Sequence, residues 1–222
     1  MSVSNELANI EGVSRLKPII VALCGHPGSG KSTVQEILHR RFGLIPFDDG
    51  AVLRRHCMEL FGLSEEDVST QEGKKRHTVI QGKSWENRKI IGEYGNALET
   101  LFGPMTVPHW AIKTALEDWE ERQTLPECWR PLRGYPEVSG YSFGSVRRGQ
   151  AAAYKAVGGI VIEIRREGLA PSGNIWDEYD QRLITHTFDN VMALHELEDA
   201  FCGFFERVRR DVVSQDKTVE AA

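Results

Sequence analysis

Eight consecutive residues, Gly25-His26-Pro27-Gly28-Ser29-Gly30-Lys31-Ser32, carry the pattern G-x-x-x-x-G-K-[ST], and Thr33 follows. Each prescribed residue type serves one chemistry, the capture of a phosphate chain. Glycines let the backbone approach phosphate oxygens without Cβ clashes. Backbone N–H groups at a helix N-terminus point at the anion. The Lys31 ammonium supplies a point charge to the β- and γ-phosphates, and the Ser32 hydroxyl is a ligand for Mg²⁺. Gly25 to Thr33 are therefore candidate nucleotide-binding residues. Lys31 is also a candidate catalytic group and Ser32 the candidate metal ligand. The pattern prescribes nothing at His26, which is assigned no chemistry of its own.

Two further sets of residues suit the transfer of a phosphoryl group, in which positioned charge matters more than a strong base. Asp48 and Asp49 close the apolar run Leu44-Ile45-Pro46-Phe47. They are candidates for the acceptor site, with helix N-capping as the plain alternative for Asp49. Arg54, Arg88, Arg147, Arg148, Arg165 and Arg166 are the candidate neutralising cations. A surface ion pair is the plain alternative for Arg88, and Lys74-Lys75-Arg76 reads as a solvated loop. Trp85, Trp110 and Trp119 read as core or pocket lining. Tyr94 and Trp110 are also candidates to stack on an acceptor base.

The elements that must hold these groups alternate between short apolar runs and amphipathic stretches. Pro18 to Cys24 reads as a strand buried on both faces, feeding the loop. Ser32 to Arg41 follows as a helix with Val34, Ile37 and Leu38 on one face. Ala51 to Leu63 reads as helix with Leu53, Cys57, Leu60 and Phe61 on one side. Ser64 to Gly82 reads as loop with helical turns, Trp85 to Leu101 and Val107 to Gln123 as helices, and Leu125 to Tyr141 as a Pro/Gly-rich connection with a candidate strand near Val138 to Phe143. A helix over Gly149 to Gly158 feeds the β-branched strand Ile160 to Ile164. A flap over Glu167 to Gln181, a strand over Leu183 to Phe188, and a closing helix over Leu194 to Arg210 complete the chain. Alternating strands and helices predict a mainly parallel α/β sheet of about five strands.

Composition narrows the function classes. Lys plus Arg is 27 and Asp plus Glu is 32, a formal net charge of −5, which argues against a binder of polymeric nucleic acid. Cys24, Cys57, Cys128 and Cys202 are too scattered for a zinc site and read as free thiols of a reducing compartment. No run approaches the roughly 18 apolar residues of a membrane span. The polar N-terminus lacks the order of a signal peptide. The expectation is a cytoplasmic protein with no membrane partner. No Asn-Lys-x-Asp stands as a guanine motif, and Ile160 to Ile164 ends in Arg165-Arg166 rather than the acid of a mechanical ATPase.

Over roughly residues 18 to 208 the chain resembles the bacteriophage deoxynucleoside monophosphate kinases and related phage P-loop kinases. The resemblance is carried by the loop and by Phe47-Asp48-Asp49-Gly50-Ala51-Val52-Leu53-Arg54. It continues in Arg88-Lys89-Ile90-Ile91-Gly92-Glu93-Tyr94-Gly95 and Val107-Pro108-His109-Trp110. Later come Val146-Arg147 with Gln150-Ala151 and Ala156-Val157-Gly158-Gly159, then Ile162 to Gly168, and Asp189-Asn190 before Leu194 and Leu197. It implies a P-loop NTPase-type sheet with a helical acceptor-binding insertion at about 51–123 and a lid at about 166–180. These lie within one domain over 17–210, flanked by flexible ends at 1–16 and 211–222.

The resemblance further implies ATP and Mg²⁺ as donor and metal, a (deoxy)nucleoside monophosphate as acceptor, and host-cell cytoplasm as the location. It casts Arg147, Arg166 and Asp49 as catalytic groups beside Lys31, Asn190 as a nucleotide-binding residue, and Asp48, Asp49, Arg54, Arg88 and Arg147 as acceptor-binding residues. The chain departs from the family where an acid precedes Val-Arg. Ser145 stands there, and Asp48 and Asp49 are the candidates to take over that role. Another small acceptor and a nucleotide-sensing module without turnover are the alternatives. The oligomeric state is left open, a homodimer included.

Overall fold

A computed structural model describes residues 17–124, 138–169 and 178–220, with side chains described as far as 211. The N-terminus expected to be flexible, the Pro/Gly-rich connection over 125–137 and most of the expected lid lie outside the described residues.

Strand β1 (Ile19–Cys24) is buried along nearly its whole length because both faces are covered. Val21 and Leu23 pack on one face with Val34, Ile37, Leu38, Phe201 and Phe205. Ile20, Ala22 and Cys24 pack on the other with Ala111, Ile112, Ala115 and Tyr154. A continuous apolar run is what such a strand requires. The loop leads from β1 into α1 (Lys31–Phe42), which closes at Gly43, where φ is 65°. The chain continues through β2 (Leu44–Phe47) into α2 (Ala51–Phe61). Later come β5 (Gly140–Phe143), β6 (Ile160–Arg165) and β7 (His186–Asp189). Together these strands form a five-stranded sheet in the order β2-β5-β1-β6-β7, with every neighbouring pair parallel. Pro46 lies on the edge strand β2, where a missing N–H costs no ladder bond.

Two helices cover the Cys24 face, α6 (Thr106–Thr124) and α7 (Ala151–Ala156), and α8 (Leu194–Glu220) lies with α1 on the other. The chain runs from β1 outward to one side and returns to the other, so a crevice opens at the C-terminal ends of β1, β5 and β6. In open parallel sheets ligands bind at that place.

The expected helical insertion is present, and it differs in detail from the sequence reading. Two short helices, α3 (Glu65–Ser69) and α4 (Gln71–Lys75), precede an antiparallel hairpin of β3 (His77–Ile80) and β4 (Lys83–Glu86). Gln81 and Gly82 form its turn with φ of 50° and 76°, the left-handed pair that a two-residue hairpin turn requires. The helical turns expected over 64–82 are present as α3 and α4, and the hairpin takes the place of loop from His77 on. Trp85 belongs to β4, and α5 begins at Asn87 and runs to Phe102.

This insertion has its own small core of Cys57, Leu63, Val68 and Ile90, with Phe61, Trp85 and Tyr94 packed against it. Leu60, expected on the inner side of α2, is 62% exposed, and Leu194, expected on the inner face of the closing helix, is 75% exposed. In place of the strand expected from Leu183, a 3-10 turn spans Gln181–Leu183 and β7 begins at His186. The closing helix continues past Arg210 to Glu220.

Candidate active site

The phosphate loop follows from its residue types. Gly25, Gly28 and Gly30 have φ of 140°, 82° and 103°, which residues with a Cβ rarely adopt. Space forbids a side chain as firmly. A Cβ on Gly25 would lie 2.3 Å from the Ile164 carbonyl oxygen, and one on Gly30 would lie 2.6 Å from the Asn190 amide nitrogen. Gly30 caps α1 without a side-chain bond, so the first N–H groups of that helix are left to the loop. Lys31 Nζ donates to the carbonyls of Gly25 (2.7 Å) and His26 (3.0 Å), folded over the concave side of the loop.

The buried Asn190 side chain donates to the Ser29 carbonyl at 2.8 Å and pins the loop to the end of β7. Pro27, Gly28, Ser32 and Thr33 are exposed, so the Ser32 hydroxyl is open to solvent at the first turn of α1. Ser29 is 1% exposed and its hydroxyl has no partner among the described residues. This geometry fits a nucleotide triphosphate chain, with Lys31, Ser32 and the loop amides as its contacts. No group of three His, Cys, Asp or Glu residues among the described residues could by itself hold a metal. A magnesium ion here would be shared between Ser32 and the phosphates it accompanies.

Asp49 is buried and crosses from the end of β2 to the end of β5, where its carboxylate accepts the Ser145 backbone N–H at 3.0 Å. Burial pushes its pKa from 3.8 up to about 6, against the pull of Arg147 and of the Ser145 hydrogen bonds. Asp49 therefore does not cap α2. Asp48 holds the entry to that helix, accepting the Gly50 N–H at 3.0 Å and pairing with the Arg54 guanidinium. Asp49 reaches the backbone at position 145 from a neighbouring strand.

A cleft opens between this point and the insertion, lined by Asp49, Arg54, Gly95, Asn96, Arg147 and Arg148 among others. Its width depends on Gly95, because a Cβ there would lie 3.2 Å from Leu53 on α2. Gly95, which weakens α5 as a helix, is what lets α2 and α5 approach. Arg54 lies inside the cleft, where burial and nearby Arg147 lower its pKa. Arg88 lies outside the lining and donates to Gln71 at 2.6 Å.

Lys74 is not the freely solvated residue expected from its charged run. It is half-buried, and burial together with Arg54, Arg88 and Arg147 holds its pKa below the usual lysine value. Arg54 and Arg147 line the cleft, and the charges of Lys74 and Arg88 add to the positive field near it, which suits an anion. Tyr94 and Trp110 both pack edge-on against His56 rather than standing free as base platforms.

On the other side of β1, a second hollow is lined by His26, Ser29, Glu163, Arg166, Leu169 and Tyr179. Arg165 and Arg166 both border this hollow and both are exposed; Arg165 is tied to Asp189 by two bonds of 2.6 and 3.1 Å. Glu163 was not singled out by the sequence. It is buried on β6 directly beside Cys24 and accepts bonds from the Tyr179 hydroxyl (2.7 Å) and the Thr187 hydroxyl (3.2 Å). A lone acid inside the run Ile-Val-Ile-Glu-Ile was the available signal. Burial drives the Cys24 thiol up to about 12, with Glu163 and Asp49 adding to the effect and Lys31 opposing it.

The strand order, with a glycine-rich phosphate loop leaving the central strand, defines an α/β fold of the P-loop NTPase type. No family model and no curated protein matches the chain. Among solved structures it is similar to TT1252 from Thermus thermophilus, with 18% identity, a TM-score of 0.41, and 89% of this chain and 97% of that one covered. It is also similar to a dephospho-CoA kinase from Campylobacter jejuni, with 12% identity, a TM-score of 0.40, and 86% and 98% covered. At that level of likeness the fold rests on the chain's own strands and loop. No helix among the described residues is long and apolar enough to cross a membrane.

Proposed function

We propose that the protein is an ATP-dependent kinase that phosphorylates a (deoxy)nucleoside monophosphate to the diphosphate. One observation carries the reading: a complete phosphate loop opens beside a cleft with Arg54 and Arg147 on its walls and buried Asp49 at its base. Arginines at such a mouth suit an acceptor that is itself an anion. The resemblance to the phage monophosphate kinases supports the same acceptor.

In this reading an oxygen of the acceptor phosphate attacks the γ-phosphorus of ATP. The new P–O bond forms as the bond to the β–γ bridging oxygen breaks, and ADP leaves with that electron pair. Magnesium, when bound, neutralises charge on the phosphates. Lys31 and the amides at the start of α1 hold the donor, and Asn190 keeps the loop in register. Arg147 and Arg166, from opposite sides, meet the charge of the group in transfer, and Arg54 orients the acceptor. Asp49 fixes the Ser145 backbone and faces the reacting region. Positioning and electrostatics of this kind supply most of the acceleration in phosphoryl transfer.

The test is ADP release from MgATP against a panel of ribo- and deoxyribonucleoside monophosphates. Turnover on at least one of them is expected, with a loss of about 100-fold or more in Lys31→Ala. Nucleotide binding without turnover on any monophosphate would refute this acceptor class and favour another small acceptor or a nucleotide-sensing role.

A further inference from the structure

Arg148 has a backbone conformation that its type disfavours. Its φ is 44°, in the left-handed region where a long side chain is uncommon. Gln81, the other such residue described, is explained by its hairpin turn; Arg148 sits in no hairpin. Strain of this kind persists only where surrounding contacts over-determine it.

Those contacts run in two directions. Through its backbone, Arg148 pairs with the stretch 178–180: its N–H donates to the Glu178 carbonyl at 2.6 Å, and the Asp180 N–H donates to its carbonyl at 2.9 Å. Through its guanidinium it reaches α5, donating to Asn96 at 3.1 Å and Glu99 at 3.4 Å. Glu99, nearly buried, also accepts from Gln150 at 2.5 Å. The stretch held by the backbone matters because Tyr179 lies within it. Tyr179 donates to Glu163, and its ring packs 5.6 Å from that of His26 in the phosphate loop. One residue therefore bonds the acceptor wall with its side chain and the donor-side wall with its main chain.

We propose that Arg148 is a positioning residue that couples the two sites, so that filling the acceptor cleft raises the affinity of the phosphate loop for ATP, and the reverse. Such coupling is reciprocal by thermodynamic necessity. The proposal rests on the reading that the loop takes ATP and the cleft an anionic acceptor. Ordered binding of this kind disfavours loss of the γ-phosphoryl to water while the cleft is empty.

The test uses a non-hydrolysable ATP analogue and an equimolar mixture of the four deoxynucleoside monophosphates as probes, with calorimetry and amide hydrogen exchange as readouts. In the wild type, saturating mixture is expected to tighten analogue binding by about fivefold or more. Arg148→Gly tolerates the left-handed conformation and keeps both main-chain bonds. It should bring the ratio of the analogue's Kd values without and with the mixture to within about twofold of unity. Asn96→Ala, at the far end of the contact, should reduce the ratio in part, and the double variant should lose no more than Arg148→Gly alone.

A merely structural role would weaken both ligands equally, lower the melting temperature and leave the ratio intact, and would overturn the proposal. Binding of the mixture to the wild type without any effect on the analogue would overturn it while sparing the functional reading. Should the mixture not bind, the acceptor reading fails, and exchange decides the coupling. Analogue binding must then slow exchange over residues 92–99 in the wild type and not in Arg148→Gly. No such slowing, or no analogue binding at all, removes the coupling as well.

Discussion

Replacing Asp49 by asparagine separates stability from activity. The carboxylate is buried, and its pKa of about 6 in the fold compares with 3.8 for an ordinary aspartate. The folded protein therefore holds the proton more tightly than the unfolded chain. This group's contribution to stability is full below about pH 4 and is lost as pH rises towards 6, after which the penalty is constant. A pKa elevated by about 2 corresponds to roughly 3 kcal/mol of cost at pH 7, at 1.36 kcal/mol per pKa unit.

An asparagine at this position carries no charge, and its amide oxygen can still accept the Ser145 N–H. Asp49→Asn should therefore be more stable than the wild type at pH 7, by up to about 3 kcal/mol. The difference should fall towards zero near pH 4. Urea unfolding of both proteins at intervals from pH 4 to 8 measures it. Turnover should move the other way, down by about tenfold or more, because the charge facing the transfer region is gone. A stability difference that does not change with pH, or an asparagine variant with undiminished turnover, would refute the reasoning. The first outcome would mean that the carboxylate is paired or hydrated, and the second that its charge plays no part in the reaction.

Two other substitutions or treatments probe the same region. Gly30→Ala forces a Cβ to within 2.6 Å of the Asn190 amide at a φ of 103°; it should cost about 1–3 kcal/mol in thermal unfolding and weaken binding of the ATP analogue. Cys24 should resist iodoacetamide at pH 8 in the folded protein, because its buried thiol titrates only near 12. It should label readily in urea, as peptide mass spectrometry would show.

Much of the half around the glycine-rich loop was legible because one motif and one periodicity specify it. A buried strand, a glycine-rich loop and a helix stand in unbroken sequence from Ile19 to Phe42, and each local preference agrees with the fold. The hairpin at 77–86 was not legible. Its strands are short and only half-buried, with alternation masked by Lys74-Lys75-Arg76 before them, and its turn carries Gln81 where a glycine or asparagine would have marked it.

Asp49 could be suspected from its place after a strand. Its partner could not, since Ser145 lies 96 residues away and only the strand order brings the two together. Glu163 shows the complementary limit. The acid between Ile162 and Ile164 sits inside a strand that was legible, but its partners Tyr179 and Thr187, which supply its hydrogen bonds, are set by the fold.

The separate small core beneath the insertion bears on how this chain can change. Cys57, Leu63, Val68 and Ile90 hold α2 to α5 together without recruiting the central strands, and Gly50 and Gly103 punctuate its two ends. Drift in Leu53, Ile91 or Gly92 alters the shape of the cleft, while the loop at Gly25 to Ser32 stays anchored to β1 and Asn190. The insertion's core and the core beneath the loop are thus separate clusters of side chains, joined across the cleft by Arg148. On the proposed reading, a change of acceptor would fall first on the residues between those two glycines, with the loop left as it is.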